Sequence, residues 1–435
     1  MGNESTLAWM TRDLLSRRFD DNALELARHA LLDTAGCIIA GKTSEQAARL
    51  EAMLAASGED GLSTTALKLG VAAHAIDFDD YEEVASTHPS AVLVPVLMSL
   101  ASEHDGISLG ELLSAYIAGY ETILTLGKVV GYGHYMAGWH STSTLGRPGA
   151  AMAAARLLGL DPDQAVTAVS LAMTQSAGLK AQFGTDAKAL HAGLAARTGV
   201  EAALLARVGF SATAQIADGP FGFAGVFGTA ASHGWQAVRS NDLPSINSYP
   251  PFVKPSPSCG YTIRPIEAAT IIAAREHFNA SDVTKICVRM PEPYYQVAGY
   301  TNPYSAHEAR FSASYCVAVA LIDGDVGVAA FNPDSLQRPD VRALMARIDF
   351  DPYELPAGAG DMSPLAPDTV TVTLRDGRHF VETVALARGG ADRLMTGSEI
   401  AAKYASCGGR KPSASKLLNA RLDEPFGIET LIYPA

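Results

Sequence analysis

From about Ser5 to Phe210, apolar residues recur at the three-to-four-residue spacing of buried helical stripes, and this pattern confines most of the chain to packed helices. Leu24, Leu26, Ala27, Ala30, Leu31 and Leu32 form one such stripe, and breaks fall at Gly41, Gly58 and Gly106. Residues 110–126, 146–158, 162–173 and 184–205 repeat the pattern, with enough Ala and Gly for helix axes to approach closely. Pro244, Pro250, Pro251, Pro255 and Pro257 then crowd a stretch that helix cannot cross. Beyond it, helical patterns at 262–276, 309–322 and 339–348 mix with a strand-like alternation at 283–289. Residues 369–374 and 379–384, joined through Asp376-Gly377, read as a hairpin. The tail returns to helix at 397–404 and 413–421. The expected fold class is mostly α: a large all-helical domain over 1–250, with 395–435 packing back on it, and a smaller α+β domain over 251–394.

Charge narrows the partners. At a formal net charge of −13, with no dense Lys/Arg run, the surface offers no general attraction to nucleic acid or an anionic membrane, so an anionic substrate needs a locally positive pocket. Cys37, Cys259, Cys287, Cys316 and Cys407 are odd in number, scattered and never in a CxxC pair, which points to reduced thiols rather than a disulfide framework or zinc knuckle. The N-terminal stretch lacks the apolar core of a signal peptide, and runs such as 165–173 are too short for a membrane span. A cytoplasmic protein is expected.

Gly36-Cys37-Ile38-Ile39-Ala40-Gly41-Lys42-Thr43 matches the phosphate-loop expression, but the residues before it are helical, whereas a phosphate loop needs a preceding strand. Gly131-Tyr132-Gly133 lacks the third glycine of a dinucleotide loop, and no HExxH, GxSxG or EF-hand pattern occurs. Three polar segments remain. His74-Ala75-Ile76-Asp77-Phe78-Asp79-Asp80-Tyr81, followed by Ser86-Thr87-His88-Pro89-Ser90, is either a site or a solvated loop with Thr87 or Ser90 capping the next helix. Residues 135–146, containing Tyr135, Trp139, His140, Ser141 and Thr142, either hold a carboxylate or supply a helix cap and a core tryptophan. In the third, Lys188 and His191 share a face of an Ala-rich helix; the lysine is either tuned for proton transfer or anion binding, or lies exposed over a packed face.

In this order the segments resemble the MmgE/PrpD family, whose pattern runs H-A-x-D-F-D-D, T-H-P-S, G-W-H-x-T, G-x-x-x-K-x-x-H-A-G, P-S-C and A-x-F-S. The last has its counterpart in Ala309-Arg310-Phe311-Ser312. The resemblance implies a pocket between the helical domain and an α+β lid, usually in a homodimer, and needs no cofactor or metal. It assigns Asp77, His88, His140 and Lys188 to that pocket, with Tyr135 as a catalytic tyrosine opposite the lysine and Tyr304 near another pocket tyrosine. Tyr81, Thr142, His191, Arg264 and Tyr304 are expected to contact substrate. Two positions depart from the family pattern. Ile263 stands where many dehydratases and decarboxylases carry histidine, and Tyr81 where decarboxylase-like members carry threonine. Arg264, next door, offers positive charge, but one residue along a helix turns a side chain by about 100°.

The chemistry implied is proton removal beside a carboxylate of a small polycarboxylate, with Lys188 and His140 as base and electrostatic clamp and Tyr135 returning a proton. The leading expectation is a 2-methylcitrate dehydratase-like or iminodisuccinate epimerase-like reaction. The alternatives are cis-aconitate-type decarboxylation, or a non-catalytic scaffold on the same fold.

Overall fold

The computed structural model describes residues 5–103, 106–230, 232, 234–238 and 243–433. It is mostly helical, with one four-stranded sheet in the C-terminal region. Residues 1–4, 104, 105, 231, 233, 239–242, 434 and 435 of the expected domain ranges lie outside the described residues. Among those that are described, no helix is long and apolar enough to cross a membrane.

The first core is made by the stripes read above. The Asp21–Gly41, Leu62–His74, Ser90–Ala101, Leu109–Val130, Gly146–Leu157, Pro162–Met173 and Asp186–Arg207 helices bury it together. The Leu109–Val130 helix starts on a capping box in which Ser108 and Glu111 satisfy each other's free backbone amides. The Gly36–Thr43 run lies on the end of the Asp21–Gly41 helix, not after a strand. A Cβ on Gly41 would lie 1.9 Å from the Ala72 carbonyl oxygen, so this glycine serves helix contact, not phosphate. The Leu62–His74 and Asp186–Arg207 helices cross at a second such point, where a Cβ on Gly70 would meet the Gly193 Cα at 2.7 Å. That crossing fixes the height of Lys188 relative to the residues that follow His74.

The second core includes Phe252, the apolar face of the Gly260–Arg275 helix, the Ala313–Asp323 helix and the sheet. Strands β1 (Val283–Pro291), β2 (Ile348–Tyr353), β3 (Asp368–Leu374) and β4 (His379–Val384) stand in the order β2-β1-β3-β4. β1 runs parallel to β2 and antiparallel to β3, which pairs antiparallel with β4, Thr373 opposite His379. Gly377, at φ 88°, makes the hairpin turn. Ile400, Tyr404 and Leu417 of the tail belong to the first core, and Lys403 reaches from there to Asp33 at 2.6 Å.

Two local expectations need correction. The helix expected at 339–348 ends at Met345, and Ile348–Tyr353 is the edge strand β2, whose two aspartates and a proline suit an edge but mask a strand pattern. The helix expected at 309–322 breaks at Phe311 because the Ser312 side chain caps a new helix, accepting from the Tyr315 amide at 3.1 Å.

Between the Leu62–His74 and Ser90–Ala101 helices the chain turns through buried carboxyls. Asp80 accepts hydrogen bonds from the Ser90 hydroxyl and amide, and the Ser90 hydroxyl pairs with Tyr116 at 2.6 Å. Burial, then the nearby Asp33, push the Asp80 carboxyl up to about 8.

Two predictions follow from this packing. Gly70→Ala forces backbone apart at the helix crossing and should cost about 1–3 kcal/mol, read as a lowered unfolding midpoint. Because Asp80 binds its proton more tightly folded than unfolded, where a carboxyl titrates near 3.9, its stabilising share is full below that value and lost as pH rises to about 8. Thermal melts should therefore show Asp80→Asn flattening the loss of stability across this window.

Candidate active site

The Leu62–His74 helix ends at a tight reversal, and Asp77 sits there at φ 54°, a left-handed conformation that Asp tolerates better than most residues. Its Oδ1 accepts from Lys188 Nζ at 2.6 Å and from Lys254 Nζ at 3.1 Å. Lys254 Nζ also donates to the Asp77 carbonyl at 2.6 Å and the Ser258 carbonyl at 3.2 Å, tying the proline-rich segment to the reversal. Burial alone would raise the Asp77 carboxyl, but Lys188 and Lys254, with smaller help from His88 and His74, hold it far below its ordinary value. Two ammonium groups thus share one carboxylate.

Around this pair lie imidazoles. Asp79 Oδ2 is 2.7 Å from His74 Nδ1 and 3.2 Å from His88 Nδ1, which also meets the Asp80 carbonyl at 2.9 Å. Burial pushes His88 down to about 4; Asp79 opposes this and the two lysines reinforce it. His140 lies beside His191, Nδ1 to Nδ1 at 2.9 Å. Its Nε2 is buried without a hydrogen-bond partner among the described residues. Burial first, then His74, Lys188, His191 and His88, depress His140 well below the ordinary imidazole value, so it is neutral at pH 7 with one nitrogen free. Lys188 Nζ stands 5.3 Å from the Phe183 ring centroid and 5.0 Å from that of Phe311. Tyr135, on the short Tyr132–Met136 helix, has Lys180 Nζ over its ring at 3.7 Å.

These groups share one small cavity. Asp77, His88, Tyr135, His140 and Lys188 all line it, and so does Tyr81, stacked on Phe252 at 4.6 Å. Phe183 comes from the first half of the chain, while Cys259, Tyr261, Phe311 and Asp361 close the cavity from the second. Thr142 and His191 stand behind the wall. Thr142 Oγ1 accepts from the His88 amide at 2.9 Å, and His191 backs His140. Neither Ser141 nor Thr142 caps the short helix they begin, because His140 occupies the cap position.

Two expected substrate contacts lie elsewhere. Arg264 is fully buried away from the cavity, donating to the carbonyls of Ser363, Ala366 and Ala385 and facing Asp368 at 3.5 Å, so its charge is committed to the fold. Tyr304 is 75% exposed and accepts from Asn302 Nδ2 at 2.7 Å, outside the cavity lining. Ile263 is buried in the second core. Lys254 was missed by sequence reasoning, although a lysine set among Val253 and four prolines was a signal. Asp79 and His74 stood in the quoted motif without a role; Tyr261 and Asp361 gave no signal at all.

His74, Asp77, Asp79 and His88 each bring one donor atom within 4.8 Å of the others, a set that a divalent cation could use. The charges present fit it poorly. A cation there would face the ammonium groups that already sit 2.6 and 3.1 Å from Asp77 Oδ1, and His74 Nδ1 is spent on Asp79. The cluster reads better as a buried ion-pair network.

Comparison with known proteins bears on the whole length. Residues 5–236 match the model of the MmgE/PrpD N-terminal domain and residues 256–421 that of the C-terminal domain. Human cis-aconitate decarboxylase is 27% identical over 92% of this chain and 85% of its own length. The mouse protein of the same name is 30% identical over 72% of this chain and 65% of its own length. The cis-aconitate decarboxylase of Aspergillus terreus is 26% identical over 99% of this chain and 94% of its own. With both domain models matched in order, the chain belongs to the MmgE/PrpD family.

Proposed function

We propose that this family member is a cofactor-independent lyase that moves a proton at a carbon beside a carboxylate, and that its reaction is loss of carbon dioxide from a cis-aconitate-type tricarboxylate. The sequence alone put dehydration or epimerisation first. Relatives named for decarboxylation, spanning nearly the whole chain, now favour what stood as the alternative. The observation that carries the reading is the convergence of Lys188 and Lys254 on Asp77 beside a neutral His140 with a free Nε2, with Asp77, His140 and Lys188 lining one cavity.

Each residue has a role that its surroundings support. Lys188, held between two aromatic faces, is the clamp for a substrate carboxylate, and Lys254 keeps Asp77 ionised while Lys188 turns to the ligand. His140, neutral, accepts or relays a proton; His88 and Thr142 position the wall around Asp77. In decarboxylation the bond to the departing carboxylate breaks, its electron pair stays on the carbon skeleton, and one proton is added to carbon. Tyr135 is the donor in this reading. The reading takes 251–394 as the lid and a cytoplasmic homodimer as the working form, which the free state of all five cysteines supports for a reducing compartment.

A second reading stays open on one observation. Ile263 and Tyr81 replace polar groups that decarboxylase-like relatives carry, and Ile263 is buried in apolar core. The same His140 and Tyr135 then abstract and return a proton without carbon dioxide loss. A scaffold role fits worse, because buried ion pairs of this kind cost desolvation that an inert protein has no use for.

NMR of the purified protein in deuterated water with cis-aconitate, citrate, 2-methylcitrate and iminodisuccinate decides between them. Carbon dioxide loss with one deuterium gained on carbon supports the first reading; exchange without net loss supports the second; silence across the panel contradicts both. Lys188→Ala should lower turnover by about 10²-fold or more with a native-like melt, since Lys254 still pairs with Asp77. Unchanged turnover in that variant removes the lysine from the chemistry. Exhaustive chelation should leave the rate unaltered, and a loss restored by one divalent metal would reverse the assignment of the His74–His88 cluster.

A further inference from the structure

Lys403 lies on the Gly397–Ser406 helix of the C-terminal tail, far in sequence from the cavity and outside its lining. It is buried; its Nζ stands 2.6 Å from Asp33 Oδ1 and donates to the Phe78 carbonyl at 2.7 Å. The same ammonium lies 4.0 Å from the Phe78 ring centroid. The directed hydrogen bond goes to the carbonyl, while Asp33, whose oxygens have no hydrogen-bond partner among the described residues, supplies the countercharge. The Phe78 ring packs in a small apolar cluster with Cys37, from the helix that carries Asp33, and Cys407, at the end of the tail helix.

Phe78 follows Asp77, whose left-handed backbone persists only where its surroundings over-determine it. Two consecutive carbonyls here are each met by a buried ammonium, that of Asp77 by Lys254 at 2.6 Å and that of Phe78 by Lys403. Both peptide planes after Asp77 are therefore fixed, one from the proline-rich segment and one from the tail. Asp79, carried by the second plane, faces His74 at 2.7 Å and His88 at 3.2 Å. Anchoring the tail does not need this lysine. Ile400, Tyr404 and Leu417 already lie in the first core, and the Tyr404 hydroxyl donates to the Leu431 carbonyl at 2.6 Å. A buried ion pair, moreover, adds little net stability over apolar side chains of similar volume.

We propose that Lys403 is a positioning residue for the Asp77 site, holding the Phe78–Asp79 peptide so that Asp77 meets Lys188 and Asp79 meets His74 and His88. This rests on the reading of the cavity as the site of turnover. Lys403 acts through Phe78, whose carbonyl and ring it restrains together. Without it the peptide is free to rotate, the Asp77 backbone relaxes from the left-handed region, and Oδ1 leaves its 2.6 Å contact with Lys188. The clamp for a substrate carboxylate then loses its resting position.

The test uses the full chain. Lys403→Met alone strands Asp33, so the deciding variant is Asp33→Leu/Lys403→Met, which exchanges the ion pair for apolar side chains. Imidazole NMR with labelled histidine reads the site without substrate. In the double variant the His74 and His88 signals should shift, whereas that of His134, held by the Phe227 carbonyl and the Thr144 hydroxyl, should stay. At a temperature well below the melt, kcat should fall about tenfold or more; a purely structural role would lower the melt and leave turnover of the folded protein intact. His74 and His88 signals identical to wild type overturn the proposal whatever the substrate proves to be, and so does a shift that spreads equally to His134. Turnover equal to wild type overturns it as well, and a double variant that no longer folds assigns the pair to stability instead. A wild type inert towards the whole polycarboxylate panel counts against the proposed reaction, whereas the imidazole signals report on Lys403 independently.

Discussion

The structure of this site depends on one buried carboxylate shared by two lysines. Asp77 sits on a strained reversal, Lys188 comes from a helix more than a hundred residues later, and Lys254 from the proline-rich segment that leads to the second core. An unpaired charge in such a place is costly, so the Asp77 carboxylate must keep at least one of its two lysines. That requirement holds three distant stretches of chain at one point. Asp79, an ionised carboxylate beside His74 and His88, offsets the second lysine, so the cluster sets two ammonium groups against two carboxylates. In the proposed reaction a substrate carboxylate takes Lys188 from Asp77, which Lys254 continues to hold.

The neutral histidines follow from the same charges. His140 and His88 are buried beside ammonium groups, and both effects disfavour a protonated imidazole. In the proposed reaction, a carboxylate brought into the cavity offsets part of that penalty and raises the proton affinity of His140. Tyr135 lines the same cavity and carries a different cation, Lys180, over its ring at 3.7 Å.

Much of this was legible in the chain. The helices of the first half were readable because each buries a stripe over three or more turns, and the 369–384 hairpin because Asp-Gly marks its turn. β2 was not readable: six residues with two aspartates and a proline carry too little alternation to signal an edge strand. In the site, Asp77, His88, Tyr135, His140 and Lys188 came from spaced polar motifs in apolar helix ends, and the structure gathers all five around one cavity. Arg264 and Tyr304 were drawn in by sequence neighbourhood alone, and a helix turn and an exposed loop carry them away. Asp361 and Tyr261 stand in no motif; the fold brings both to the cavity lining, with Asp361 bonded to Ser86.

The central claim is that the charges around Asp77 are arranged to receive a substrate carboxylate. The most direct measurement is a crystal structure of the protein soaked with tricarballylate, a saturated tricarboxylate that cannot lose carbon dioxide by the proposed route. One carboxylate is expected within hydrogen-bonding distance of Lys188 Nζ, another polar contact from His140 Nε2, and Asp77 still bound to Lys254. A cavity that stays empty at saturating ligand, or a tricarboxylate bound away from Lys188, would contradict it.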